Sequence, residues 1–98
     1  MVVQDLILVE KLCSHYKIEL SFFDALNNSK LIKIETFEQH QFIHKDEIGN
    51  LEKMIRLHKE LNVNIEGIDV VFNLLKKEMK LRKELNALKN RLRLYEND

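Results

Sequence analysis

The 98-residue chain has no proline, no tryptophan, only two glycines (Gly49 and Gly67) and a single cysteine, Cys13. So few punctuators exclude a sandwich or barrel and leave a helix-rich chain as the expectation. One cysteine rules out an internal disulfide and any zinc site built on two or four cysteines. No apolar run approaches the roughly 20 residues that cross a bilayer, and MVVQDLILVEKL has no basic segment ahead of its apolar residues, so it does not read as a secretory signal. Sixteen basic and sixteen acidic residues cancel, so no global field draws the chain to nucleic acid or a membrane surface. With 45% hydrophobic and 33% charged residues, the expectation is one soluble, cytoplasmic domain.

The zero net charge hides a division. Residues 1–50 carry five Lys and no Arg against eight acids, a net of −3. Residues 51–98 carry eleven basic residues and eight acids, a net of +3.

The spacing of Leu6, Val9, Leu12 and Cys13 predicts a helix over 5–16, with Asp5 as its N-cap. After a break at Lys17-Ile18-Glu19, a second short helix spans 20–29 with Phe22, Phe23 and Leu26 inward; Asn27-Asn28-Ser29 ends it. Two short helices joined by about three residues form a helix-turn-helix unit. LIKIE (31–35) and HQFI (40–43) predict a two-stranded hairpin around Thr36-Phe37-Glu38-Gln39, which must pack on helices to be stable. His44 precedes Lys45-Asp46-Glu47, whose acids suit a first helical turn. The third helix then runs to about Leu61, burying Ile48, Leu51, Met54, Ile55 and Leu61. Asn64 caps a final helix from Ile65 to about Tyr95.

At about 1.5 Å per residue this last helix spans roughly 46 Å, too long for a compact 100-residue domain, whose radius of gyration is about 13 Å. Ile68, Phe72, Leu75 and Met79 form one apolar stripe, expected to close the core. Val71, Leu74, Glu78, Leu81, Leu85, Leu88, Leu92 and Tyr95 alternate steps of three and four, the heptad pattern of a coiled coil. A homodimer through this helix is expected, and the flanking charges do not choose between parallel and antiparallel pairing. Glu78 is the one polar seam residue, and it either sets register or lies at the fringe. An amphipathic helix folded back on its own domain is the competing reading.

Helix-turn-helix, β-wing, two further helices and a projecting coiled coil is the layout of MerR-type regulators. Arg56, Glu60, Leu61, Val63, Ile65, Glu66 and Ile68 in RLHKELNVNIEGI resemble the third-to-fourth-helix stretch of that superfamily. Leu31-Ile32 falls where the pattern has its Gly-Leu-Ile wing entry, with Lys30 in place of the glycine. The chain also resembles the chaperone modulator CbpM family, at Glu10, Cys13 and His15, at Ile18-Glu19, at Arg56-Leu57-His58, at Glu60-Leu61, at Gly67-Ile68 and in the Leu-rich terminal helix. That resemblance implies binding to the J-domain of a DnaJ/CbpA-type co-chaperone and inhibition of its stimulation of the DnaK-type ATPase. It implies an interaction protein rather than an enzyme.

The residues themselves speak to DNA binding. Affinity for DNA rests largely on Lys and Arg meeting phosphates, and base reading leans on Arg. Laid on the MerR second-helix pattern Ser-x-Arg-Thr-Leu-Arg-Tyr-Tyr-Glu, the two arginine positions hold Ser21 and Asp24, and Tyr-Tyr-Glu becomes Ala25-Leu26-Asn27. The wing's Gly-Tyr-Arg becomes Gln39-His40-Gln41. DNA binding through this motif is therefore disfavoured, and a MerR-like transcriptional regulator is the alternative function. Asp5, Glu10, Glu19, Asp24, Glu35 and Glu38 are the candidate partner-binding residues, complementary to the basic helix that J-domains resemble one another in carrying. For each acid, an ordinary surface role is the competing reading. A dimerisation module with no inhibitory role is a third possibility. The basic residues around Lys76-Lys77, Arg82-Lys83 and Lys89-Arg91-Arg93 read as a solvated coiled-coil face.

Other constellations are weak. Cys13 and His15 are two apart and cannot share a helix face, so Cys13 reads as a small apolar residue. His40 and His44 make a poor metal pair. No phosphate-binding loop and no Ser/His/Asp grouping is recognisable. The sequence thus predicts a mainly α, MerR-like winged helix-turn-helix (1–64) with a small two-stranded wing and a long C-terminal coiled-coil helix (65–98), without cofactor, metal or catalytic residues.

Overall fold

The computed structural model describes residues 5–96, so the outer ends of the expected segments 1–64 and 65–98 lie outside the described residues. In chain order the elements are β1 (Leu6–Leu8), α1 (Val9–Tyr16), α2 (Leu20–Asn28), β2 (Ile34–Phe37) and β3 (His40–His44). A 3₁₀ turn (Lys45–Glu47), α3 (Ile48–Leu61) and α4 (Ile65–Glu96) follow. The molecule is mainly α, with the predicted helix-turn-helix, a small sheet and a long terminal helix.

The sheet has three antiparallel strands in the order β1-β3-β2, not two. Leu6, Ile7 and Leu8 pair with His44, Ile43 and Phe42, so the first helix starts at Val9 and not at Asp5. A short apolar run such as Leu-Ile-Leu suits helix and strand equally, and the unpaired edge of β3 decides it. Asp5 is accordingly no N-cap; its carboxylate meets Lys45 Nζ at 3.0 Å. On the other side, Ile34 pairs with Ile43 and Phe37 with His40. The hairpin closes through two residues, Glu38 and Gln39, at φ 50° and 68°. That double left-handed turn matches the twist of the strands it joins, so Thr36 and Phe37 belong to β2. Leu31–Lys33 stay outside the strand: the amide of Lys33 donates to Glu47 Oε1 (3.3 Å) and that of Ile34 to Asn27 Oδ1 (3.0 Å).

Three helices end on a left-handed residue: Lys17 (φ 55°) after α1, Lys30 (φ 62°) after α2 and Asn62 (φ 58°) after α3. After α2, the amide of Leu31 donates to the Leu26 carbonyl at 2.9 Å and that of Lys30 to Asn27 at 3.0 Å, the paired bonds of a Schellman cap. After α1, the Ile18 amide reaches the Cys13 carbonyl at 3.0 Å, and Ile18 is buried. This seals the three-residue turn of the helix-turn-helix.

Val9 and Leu12 from α1, Phe22, Phe23 and Leu26 from α2, Ile43 from β3, Leu51, Met54 and Ile55 from α3 and Ile68 from α4 form the core, joined by Ile18 and Ile32. Among the described residues no polar or charged side chain is buried. Ile48 is half-buried, and Leu61, expected inside, is 66% exposed, because α3 runs one turn past the core beneath it. α4 starts as predicted, with Asn64 Oδ1 accepting the Gly67 amide at 2.8 Å. A Cβ on Gly67 would lie 2.6 Å from Val63 Cγ1, so a larger residue here would force Val63 to shift. Of the stripe expected to close the core, Ile68 is buried and Phe72 half-buried, but Leu75 and Met79 are exposed. The core ends two turns into α4. The rest of this 32-residue helix, about 48 Å long, projects and stretches the molecule to 62 × 35 × 21 Å.

Lys30 holds a conformation that costs an L-residue about 1–2 kcal/mol, whereas glycine holds it freely at some cost in unfolded-state entropy. Lys30→Gly is expected to stabilise the fold by about 0.5–1 kcal/mol in urea unfolding; a loss of stability would refute this reading of the cap.

Candidate functional site

The outward face of α2 is the surface that a helix-turn-helix offers to a duplex. Leu20, Ser21 and Asn28 are exposed there, with Asp24 and Ala25 half-buried, while Phe22, Phe23 and Leu26 hold the opposite face in the core. No Lys or Arg lies in α2, and Asp24 is its sole charge. Ser21 Oγ donates to Glu19 Oε2 at 3.4 Å, closing the first turn on an acid. The wing adds Glu35 on β2 and Glu38 in the turn, and carries no arginine.

The six candidate acids fall in separate places. Glu10 on α1 and Asp24 on α2 converge on Cys13, whose thiol is pushed up chiefly by burial, then by the Asp24 and Glu10 carboxylates. Glu35 and Glu38 share the wing, where Glu35 Oε1 lies 4.0 Å from Lys33 Nζ. Glu19 stands at the start of α2, and Asp5 is engaged by Lys45. Cys13 is half-buried against the core, as a small apolar residue would be. His40 and His44 bound β3, where His44 Nδ1 accepts the Asp46 amide at 3.2 Å. Among the described residues no three His, Cys, Asp or Glu side chains are grouped to hold a metal ion, and no helix is long and apolar enough to cross a membrane.

Two concavities were invisible in the sequence. A cleft of about 600 Å³ opens beside the helix-turn-helix turn, lined by Ile18, Glu19, Ser21, Phe22, Lys59 and Ile65 among others. At its wall, Phe22 stacks on His58 with ring centroids 4.5 Å apart, and Lys59 Nζ donates to the Tyr16 carbonyl at 2.7 Å. Residues 36 positions apart leave no local signal for such a pair. A smaller apolar groove, about 280 Å³, lies between α3 and α4 and is lined by Leu57, Leu61, Val71, Phe72 and Leu75. The exposed Phe37 near the wing tip (59%) was also missed, its position having been given to the turn.

Along α4, Val71 is half-buried and Leu74, Leu81, Leu85, Leu88, Leu92 and Tyr95 are all exposed. Glu78, on the same seam, is paired with Arg82 one turn on. Among the described residues, nothing covers this leucine row.

Cys13 reacts through its thiolate, whose share the two carboxylates suppress. Alkylation by iodoacetamide at mildly alkaline pH is expected to speed up by about twofold in Asp24→Asn. An unchanged rate would mean that Asp24 does not act on the thiol.

A sequence model of the family described as MerR HTH family regulatory protein matches residues 7–90, from β1 almost to the end of α4. No curated protein and no solved structure matches the chain significantly. The match spans the helix-turn-helix, the sheet and the projecting helix together, and the chain belongs to the MerR helix-turn-helix family.

Proposed function

We propose that this MerR-type chain is a protein-docking adaptor: it binds the J-domain of a DnaJ/CbpA-type co-chaperone and inhibits its stimulation of the DnaK-type chaperone, in the cytoplasm. The observation that carries the reading is the outward face of α2, which offers Ser21, Asp24 and Ala25 and no cation. A carboxylate turned toward phosphates repels them, whereas the same surface attracts a basic helix. Glu10 and Asp24, which both act on Cys13, are the pair we assign the largest share of that attraction, with Glu19 at the start of α2 and Glu35 and Glu38 on the wing contributing from separate places. Asp5 contributes less, because Lys45 already neutralises it. The resemblance to CbpM at Glu10, Cys13, His15 and Ile18-Glu19 falls on α1 and the turn that leads into α2.

The second reading is a DNA-binding regulator, with which the family description is equally consistent. The absence of cations from α2 and of arginine from the wing weighs against it. In both readings the chain acts as a homodimer through Val71, Leu74, Glu78, Leu81, Leu85, Leu88, Leu92 and Tyr95, whose exposed leucines need a cover.

Adding the chain to a J-domain and a DnaK-type chaperone is expected to suppress the stimulated ATPase turnover. Asp24→Lys with Glu10→Lys is expected to weaken that suppression by about tenfold or more at low salt. Turnover unaffected by the wild-type chain would reject the adaptor reading. Light scattering is expected to give twice the 11.7 kDa chain mass, and Leu85→Lys to return it to a single chain. Scattering at 11.7 kDa for the wild type would reject the dimer.

A further inference from the structure

We propose that the solvent side of α4 between Lys76 and Arg93 binds the phosphate backbone of duplex DNA without reading its sequence. This is independent of the J-domain reading and of the helix-turn-helix. The charge of α4 is segregated along its length. Residues 65–75 carry Glu66 and Asp69 and no cation; residues 76–93 carry eight Lys and Arg against Glu78 and Glu84, a net of +6. All of residues 76–93 are exposed, beyond the point where the core ends. Among the described residues, Arg82 is the one cation of this stretch held in an ion pair, by Glu78.

The cations are also ordered around the helix. Lys76, Lys80 and Lys83 recur at steps of four and three and so share one line, on the side away from the Leu74–Leu81–Leu88 seam. Arg82, Lys89 and Arg93 form a second row. A face that only had to stay wet would alternate signs at i,i+4, since opposite charges there stabilise a helix and like charges destabilise it. Here Lys76 faces Lys80 and Lys89 faces Arg93, and the two acids of the stretch, Glu78 beside Arg82 and Glu84 four residues after Lys80, offset only part of that excess. Such rows are relieved by an anion from outside.

Shape selects which anion. Eighteen residues make a straight rod of about 27 Å, and duplex DNA carries one phosphate charge per ~1.7 Å of axis, so about sixteen phosphates lie alongside. An anionic membrane would engage such a helix through its apolar side, here the narrow heptad seam that a second chain would cover. The lysine row needs no apolar insertion.

The test is fluorescence anisotropy of the full chain with two labelled duplexes of about 20 base pairs and unrelated sequence, titrated between about 50 and 200 mM salt. Equal affinity for both is expected, with log K falling against log salt at a slope of about −3 or steeper. Lys76→Gln, Lys80→Gln and Lys83→Gln together are expected to weaken binding about tenfold or more and to flatten the slope by roughly three. Glutamine and lysine have similar helix propensity, so helicity by circular dichroism stays as in the wild type. Four outcomes would overturn the proposal: no binding at the lowest salt, binding indifferent to the triple substitution, preference for one duplex, or capture by polyglutamate or anionic phospholipid vesicles with neither duplex bound.

Discussion

One contact row organises this protein. Ile43, fully buried on the central strand β3, pairs with Ile7 on one side and Ile34 on the other. Through Ile7 it fixes the start of α1, and through Ile34 it fixes the wing. The helix-turn-helix is therefore sewn to the hairpin rather than merely packed on it. Phe23, Leu26, Leu51, Met54 and Ile68 close over this row, and each is almost fully withdrawn from water. A core with no buried polar side chain among the described residues leaves all chemistry at the surface, which is where function has to be sought.

At that surface the decisive variable is the sign of charge. The α2 face and the wing present acids and amides where a duplex reader needs cations. The cations are placed instead on the part of α4 that leaves the domain. A chain that is neutral as a whole is thus polarised in space: an anionic helix-turn-helix at one end and a cationic rod at the other. Charge complementarity of this kind acts mainly on encounter rate and partner choice. In the proposed adaptor role, it is what would let a frame shared with regulators serve a protein partner.

Much of this was legible in the sequence. α2 and its inward Phe22, Phe23 and Leu26, the Asn64 cap and the span of α4 follow from spacing and cap chemistry that act within a few residues. What escaped is non-local. Leu6–Leu8 becomes a strand because β3 has a free edge, and nothing within the triplet says so. Leu61 is expected inside with the other apolar residues of α3, but an apolar pattern does not give the distance the core extends beneath the helix. The Phe22–His58 stack joins residues with no sequence relation. The turn at Glu38-Gln39 lacks the Asn-Gly or Asp-Gly that marks such a hairpin, so its two-residue length was hidden.

The central claim is that α2, though built as a recognition helix, recognises no base sequence. Repeated selection from a pool of random duplexes at physiological ionic strength tests it directly. The account predicts that no sequence is enriched over successive rounds. Emergence of a defined motif, bound tightly by the purified chain and lost when Ser21 and Asp24 are both changed to alanine, would contradict it.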